Sequence, residues 1–178
     1  MFLQKQTSLQ KIFIYTDASF NASLALAVSG YLFFGSETAH ATSEVVESNI
    51  QTRSFKVKNN IRAEIMGANY ILKKLNDEMK LEEISLKSIE INLYSDCRTL
   101  TDLLRRRDKL QASNFISGKK KTELANADLY KEFYVLYDLI KPQIIWVKGH
   151  SRNAGQSIEQ KNFQIIDQKV RKELRLLV

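Results

Sequence analysis

KIFIYTDAS, residues 11–19, is the stretch on which the reading of the fold turns. Residues 11–16 are rich in β-branched and aromatic residues and predict a buried strand, with Asp17 directly after it. A second stretch repeats the arrangement. Residues 88–94 (SIEINLY) alternate and then turn apolar, predicting a strand, and Asp96 follows at once in LYSDCRTL. If these two strands lie side by side and parallel, both aspartates come to the same end of the sheet, where open α/β sheets gather their ligands.

The elements between and beyond follow from pattern. Residues 24–34 (LALAVSGYLFF) predict a second strand, and residues 41–58 a loop followed by a third strand. The natural pairing of the first three strands is by successive hairpins. Apolar residues Ile61, Ile65, Ala68, Ile71, Leu72 and Leu75 fall at helical spacing, predicting a helix over about 61–79 with Asn59 or Asn60 as its cap. A short basic helix is expected over 98–110, a polar irregular stretch over 111–123, and a helix over 124–140 stopped by Pro142. Residues 143–147 (QIIWV) predict a fifth strand and 157–177 a last helix. The class is therefore α/β: a five-stranded mixed sheet, three antiparallel strands followed by parallel additions, flanked by helices. Crossovers are expected to be right-handed.

With 178 residues, one proline, six glycines and no repeat or low-complexity linker, the chain reads as a single domain over residues 1–178, with residues 1–10 as a flexible N-terminal extension. A content of 44% hydrophobic and 26% charged residues excludes a wholly disordered chain. No apolar run reaches the roughly 18 residues of a membrane span, and the polar start lacks a signal-peptide core. The single cysteine, Cys97, rules out an intrachain disulfide and a zinc site of thiolates, and fits a reducing, cytoplasmic setting. The formal charge of +7 favours a polyanion, nucleic acid first, as partner.

The chemistry is carried by acids. Asp17 and Asp96 follow the two key strands, Glu64 lies on the first turn of the first long helix, and Asp167 on the last helix is a fourth candidate. An aspartate after a strand is by itself a common turn former or cap, and one glutamate on a helix is ordinarily solvated. It is the joint placement, at corresponding ends of consecutive core elements, that points to chemistry. Cleaving a phosphodiester requires neutralising added negative charge and activating a water. Two Mg²⁺ ions roughly 4 Å apart do both, and Mg²⁺ takes hard oxygen ligands of the kind clustered carboxylates offer.

Five segments, in order, resemble the ribonuclease H family: IYTDAS around Asp17, NNIRAEIMGANYIL around Glu64, LYSDCRTL around Asp96, NADLYKEF at 126–133 and WVKGHS at 146–151, with Asp167 on the final helix. The likeness runs from about Lys11 to Arg175 and implies a ribonuclease H-like fold. It also implies an endonuclease that hydrolyses the RNA strand of RNA–DNA hybrids. Asp17, Glu64, Asp96 and Asp167 would hold two Mg²⁺ ions (or Mn²⁺), and His150 would assist near the scissile phosphate. Asn59 and Asn60 would lie near the minor groove of the hybrid. The span from Arg105 to Lys121, with Arg105, Arg106, Arg107, Lys119, Lys120 and Lys121, would form a basic handle tracking the DNA strand. A monomer is expected.

This chain departs from the family in several places. Ser19-Phe20-Asn21-Ala22-Ser23 replaces a glycine-rich loop, and the asparagine pair sits one residue further from Glu64 than usual. The loop from His150 to Asp167 is long, and Asn162 and Phe163 stand near where an asparagine is usual. Cys97 and Arg98 occupy places where a serine and a polar amide are common. Other residues read as structural: His40 as surface, Cys97 as a small buried filler, and Tyr130, Phe133, Tyr134, Tyr137 and Trp146 as core. Phe115, within the basic stretch, is equally a stacking or a core residue. The competing functions are a DNA nuclease or resolvase sharing the fold, and a non-catalytic nucleic-acid-binding relative.

Overall fold

The computed structural model describes residues 10–35, 41–83, 89–149 and 156–177. The expected N-terminal extension and His150 lie outside these residues, apart from the extension's last residue, Gln10, which opens the first strand. Five strands form one sheet: β1 (Gln10–Asn21), β2 (Leu26–Gly35), β3 (Gln51–Lys56), β4 (Ile89–Ser95) and β5 (Gln143–Trp146). Their order is β3-β2-β1-β4-β5. β1–β2 and β2–β3 pair antiparallel, β1–β4 and β4–β5 parallel. This is the mixed sheet the sequence predicts.

Helices cover both faces. α2 (Asn60–Leu81), α3 (Arg98–Ala112) and α4 (Ala127–Ile140) enclose one core with Ile12, Ile14, Ile91 and Leu93 of the sheet. α5 (Ile158–Leu176) and the short α1 (Ser43–Asn49) cover the other face, over Tyr15, Val28, Leu32, Phe34 and Tyr94. The alternation of Ile14 and Tyr15 between the two cores is the two-residue period of a strand buried on both sides.

Three local differences from the sequence reading have physical causes. First, β1 does not stop before Asp17. Its ladder with β2 continues through Asn21↔Leu26, so Asp17 lies inside a strand opposite Gly30. The polar residues of 17–21 mimic a loop, but the ladder supplies their backbone partners, and Asn21 Oδ1 closes the hairpin by accepting from the N–H groups of Ser23 and Leu24. Second, residues 43–49, expected as loop, form α1, capped by Thr42, whose side chain accepts from Val45 N. With Val46 its one buried residue, so short a helix leaves no readable period. Third, α4 begins at Ala127, because Phe115 O accepts from Leu124 N and Ile116 bridges Glu123, folding residues 115–124 back on themselves.

Two glycines set how closely the helices approach. A Cβ on Gly67 of α2 would stand 2.9 Å from Ser29 Cβ and 3.3 Å from Thr16 Oγ1. α2 therefore lies directly on β1 and β2, and Ser29 Oγ donates to Ala63 O at 3.0 Å. On the opposite face, a Cβ on Gly30 would run into Val170 Cγ1 and come to 3.2 Å from Ile166 Cγ2. Both α5 residues are fully buried. Gly30→Ala should therefore destabilise the protein by about 1–3 kcal/mol, the usual cost of overpacking. A shift of the urea midpoint at unchanged slope is the check.

Candidate active site

The parallel pairing of β1 and β4 brings Asp17 and Asp96 together, since Tyr15 pairs with Tyr94 two residues before each. Glu64 arrives from α2, one turn before the glycine that seats this helix on the sheet. One carboxylate oxygen from each of Asp17, Glu64 and Asp96 lies within 4.8 Å of the others. Asp17 and Glu64 are each 4% exposed. All three line a cleft of about 650 Å³, together with Asn60, Arg98, Asp167, Arg171 and Arg175.

Burial, then the charges of Asp96 and Asp167, pushes the Asp17 carboxyl well above the usual carboxylate range. Burial, then Asp17 and Asp96, does the same to Glu64, with the Asn60 hydrogen bond opposing. Asp17 Oδ2 and Glu64 Oε2 are buried without a hydrogen-bond partner among the described residues. Clustered acids with buried, unpartnered oxygens suit a hard divalent cation, which neutralises the repulsion and takes oxygen ligands. The residues therefore fit a metal. Cys97 beside them is pushed up to about 12 by burial, so it offers no thiolate at neutral pH.

Neighbours orient the acids. Asn60 Nδ2 donates to Glu64 Oε1 at 3.2 Å, and Asn59 Oδ1 caps α2 by accepting from Arg62 N at 2.8 Å. The one-residue displacement of the asparagine pair thus sets Asn60 exactly four residues before Glu64, on the same side of the helix. Arg62 forks onto Asp128, tying α2 to α4. A Cβ on Gly149 would collide with Asp96 Oδ2.

Asp167 lines the same cleft but is not among the three converging acids. Its Oδ1 accepts from Arg171 Nε at 2.8 Å, one turn along α5. In the basic handle the charges are unequal. Arg107 forks onto Asp138 with both bonds at 2.6 Å and lies over the Tyr134 ring, so it fastens α3 to α4. Arg105 meets Asp102 at 3.3 Å. Arg106 is half-buried, and Lys119, Lys120 and Lys121 are exposed. Phe115 is buried, which settles it as core. Trp146, read as core, is 40% exposed. Its Nε1 donates to Asp96 O at 3.1 Å, and Arg98 lies 4.1 Å over its ring. Sequence reasoning missed Arg98, Gly149 and Arg171 as parts of the site. The one available signal was the four-residue spacing of Asp167 and Arg171.

Fold and site together define an α/β protein whose acids converge just past the end of the parallel β1–β4 ladder to form a pocket suited to divalent cations. A family model described as RNase H matches residues 9–174, and the chain belongs to the ribonuclease H family. Among solved structures, LC9-RNase H1, a type 1 RNase H with the type 2 active-site motif, aligns at 15% identity and a TM-score of 0.63, over 94% of this chain and 74% of that one. Native prototype foamy virus protease–reverse transcriptase aligns at 14% identity and a TM-score of 0.64, over 96% of this chain and 21% of that one. A foamy viral protease–reverse transcriptase in complex with an RNA/DNA hybrid aligns at 13% identity and 0.58, over 93% and 20%. This chain thus spans about a fifth of the length of those two viral chains. At these identities the likeness is one of fold. No curated protein sequence matches. Among the described residues no helix is long and apolar enough to cross a membrane.

Two outcomes follow. Because the folded-state pKa values of Asp17 and Glu64 lie above their unfolded values, the acids' contribution to stability is intact below about pH 4 and is lost as pH rises through the raised values. In metal-free protein at pH 8, Asp17→Asn should therefore raise the melting temperature, by roughly 3 °C or more. The difference should close toward pH 4, as thermal melts across pH will show. Gly149→Ala should push the Asp96 carboxylate aside at little cost in stability, yet weaken Mn²⁺ binding by about tenfold or more in a titration, as loss of ligand orientation does.

Proposed function

We propose that this protein is a metal-dependent ribonuclease H that hydrolyses the RNA strand of RNA–DNA hybrids. The observation that carries the reading is the convergence of Asp17, Glu64 and Asp96 within 4.8 Å in a member of this family. Two Mg²⁺ ions, or Mn²⁺, held by these acids and Asp167 would neutralise charge at the scissile phosphate and activate the attacking water. The protein's own groups do the rest. Asn60 holds one Glu64 oxygen, and the other is buried without a hydrogen-bond partner among the described residues. Trp146 pins the backbone carbonyl of Asp96. His150 would assist near the scissile phosphate, in water handling or product release.

Recognition is of shape and backbone, since a hybrid cutter must sense the 2′-OH on one strand and its lack on the other. In this reading Asn59 and Asn60 meet the minor groove. Arg105, Arg106, Lys119, Lys120 and Lys121 take phosphates of the DNA strand, and Arg107 holds the handle in shape through Asp138. Membership of the ribonuclease H family supports this choice of substrate. The protein acts as a monomer in the cytoplasm.

The deciding assay uses an end-labelled RNA–DNA hybrid beside duplex DNA, duplex RNA and single strands, with Mg²⁺ or Mn²⁺. Cleavage of the hybrid's RNA strand alone, reduced by at least about 10³-fold in Asp17→Asn, is the expected result. Preference for duplex DNA moves the function to the resolvase class. Hybrid binding with no cleavage under either ion makes the protein a binding module.

A further inference from the structure

We propose that Arg171 gates a second cation site by holding Asp167 away from the three converging acids. The inference rests on the metal-centre reading of the cleft. Asp17, Glu64 and Asp96 already present oxygens within 4.8 Å of one another, a site ready for one ion. Asp167 lines the same cleft, and its charge reaches Asp17, yet it stands outside that group. What it does instead is accept from Arg171 Nε at 2.8 Å.

Backbone movement offers no way to recruit it. Asp167 follows Ile166 and precedes Val170, both fully buried and packed onto the sheet at Gly30. The freedom that remains is rotation of the side chains. A guanidinium and a divalent cation compete for the same carboxylate oxygens, so Asp167 becomes a ligand as Arg171 lets go. The Arg171 side chain is 45% exposed, so its guanidinium can swing into water as a divalent ion takes the Asp167 carboxylate. Loading is then ordered: the three acids fill first, and Arg171 sets the concentration at which Asp167 completes the second site.

The test is Mn²⁺ binding to the full chain without nucleic acid, by calorimetry and by electron paramagnetic resonance. It compares wild type, Arg171→Gln, Arg175→Gln, Asp167→Asn and the Arg171→Gln/Asp167→Asn double variant, each checked for a cooperative melt. Arg175 lines the same cleft one turn further on, so its variant controls for simple loss of positive charge. The expected result is one tight ion in every protein and a weaker second ion in wild type. Arg171→Gln should tighten that second site roughly fivefold or more, within the usual range of coupling between sites. Arg175→Gln should change it by clearly less, and Asp167→Asn should abolish it and cancel the effect of Arg171→Gln.

An unchanged second site in Arg171→Gln overturns the gate. So does equal tightening in Arg175→Gln, or an Arg171→Gln effect that persists without Asp167. A wild-type protein that binds no Mn²⁺ at all sinks the metal reading, and the gate with it.

Discussion

Two nearly buried carboxylates and a third half-buried one, within 4.8 Å of each other, cannot all carry charge in a protein interior without a counter-charge. Much of the structure can be understood as the scaffold that enforces this unfavourable meeting. β1 and β4 supply two of the acids through parallel pairing, and α2 delivers the third. The cost is borne by two large cores, one on each face of the sheet. A site of this kind is stabilised by the ligand it is built to hold, so strain and function are the same feature.

The adjacent residues Ser29 and Gly30 of β2 face opposite sides of the sheet, as strand geometry requires. Ser29 receives α2 at Gly67, and Gly30 receives α5 at Val170. Both helices are therefore pressed close to the sheet at the level of Asp17, whose ladder partner is Gly30. Without that closeness Glu64 and Asp167 would stand off from the cleft. Small residues here position acids that they never touch.

Around this centre, positive charge is divided between fastening and display. Arg62 and Arg107 are consumed in forked pairs with Asp128 and Asp138 that brace α2, α3 and α4 against one another. Lys119, Lys120 and Lys121 stay exposed on the turn of the handle. Composition alone cannot separate the two uses, because a guanidinium that braces a helix and one that meets a phosphate are the same residue in the sequence.

The strands and their class can be read from the residues alone, because burial on both faces demands continuous β-branched and aromatic runs such as KIFIYT. So can the candidacy of Asp17, Glu64 and Asp96, since their spacing follows the order of the core elements. Close approach and pairing, by contrast, emerge only when the elements pack together. That Asp17 lies within β1 depends on a ladder with β2. That residues 43–49 are helical depends on packing of one valine and one cap. That Asn60 turns to Glu64, Asp167 to Arg171 and Trp146 to Asp96 depends on side chains meeting across one helical turn or between elements far apart in the chain. Periodicity records which face a residue occupies. It carries no information about which of several neighbours on that face a polar group will choose, and at this site that choice separates ligands, braces and gates.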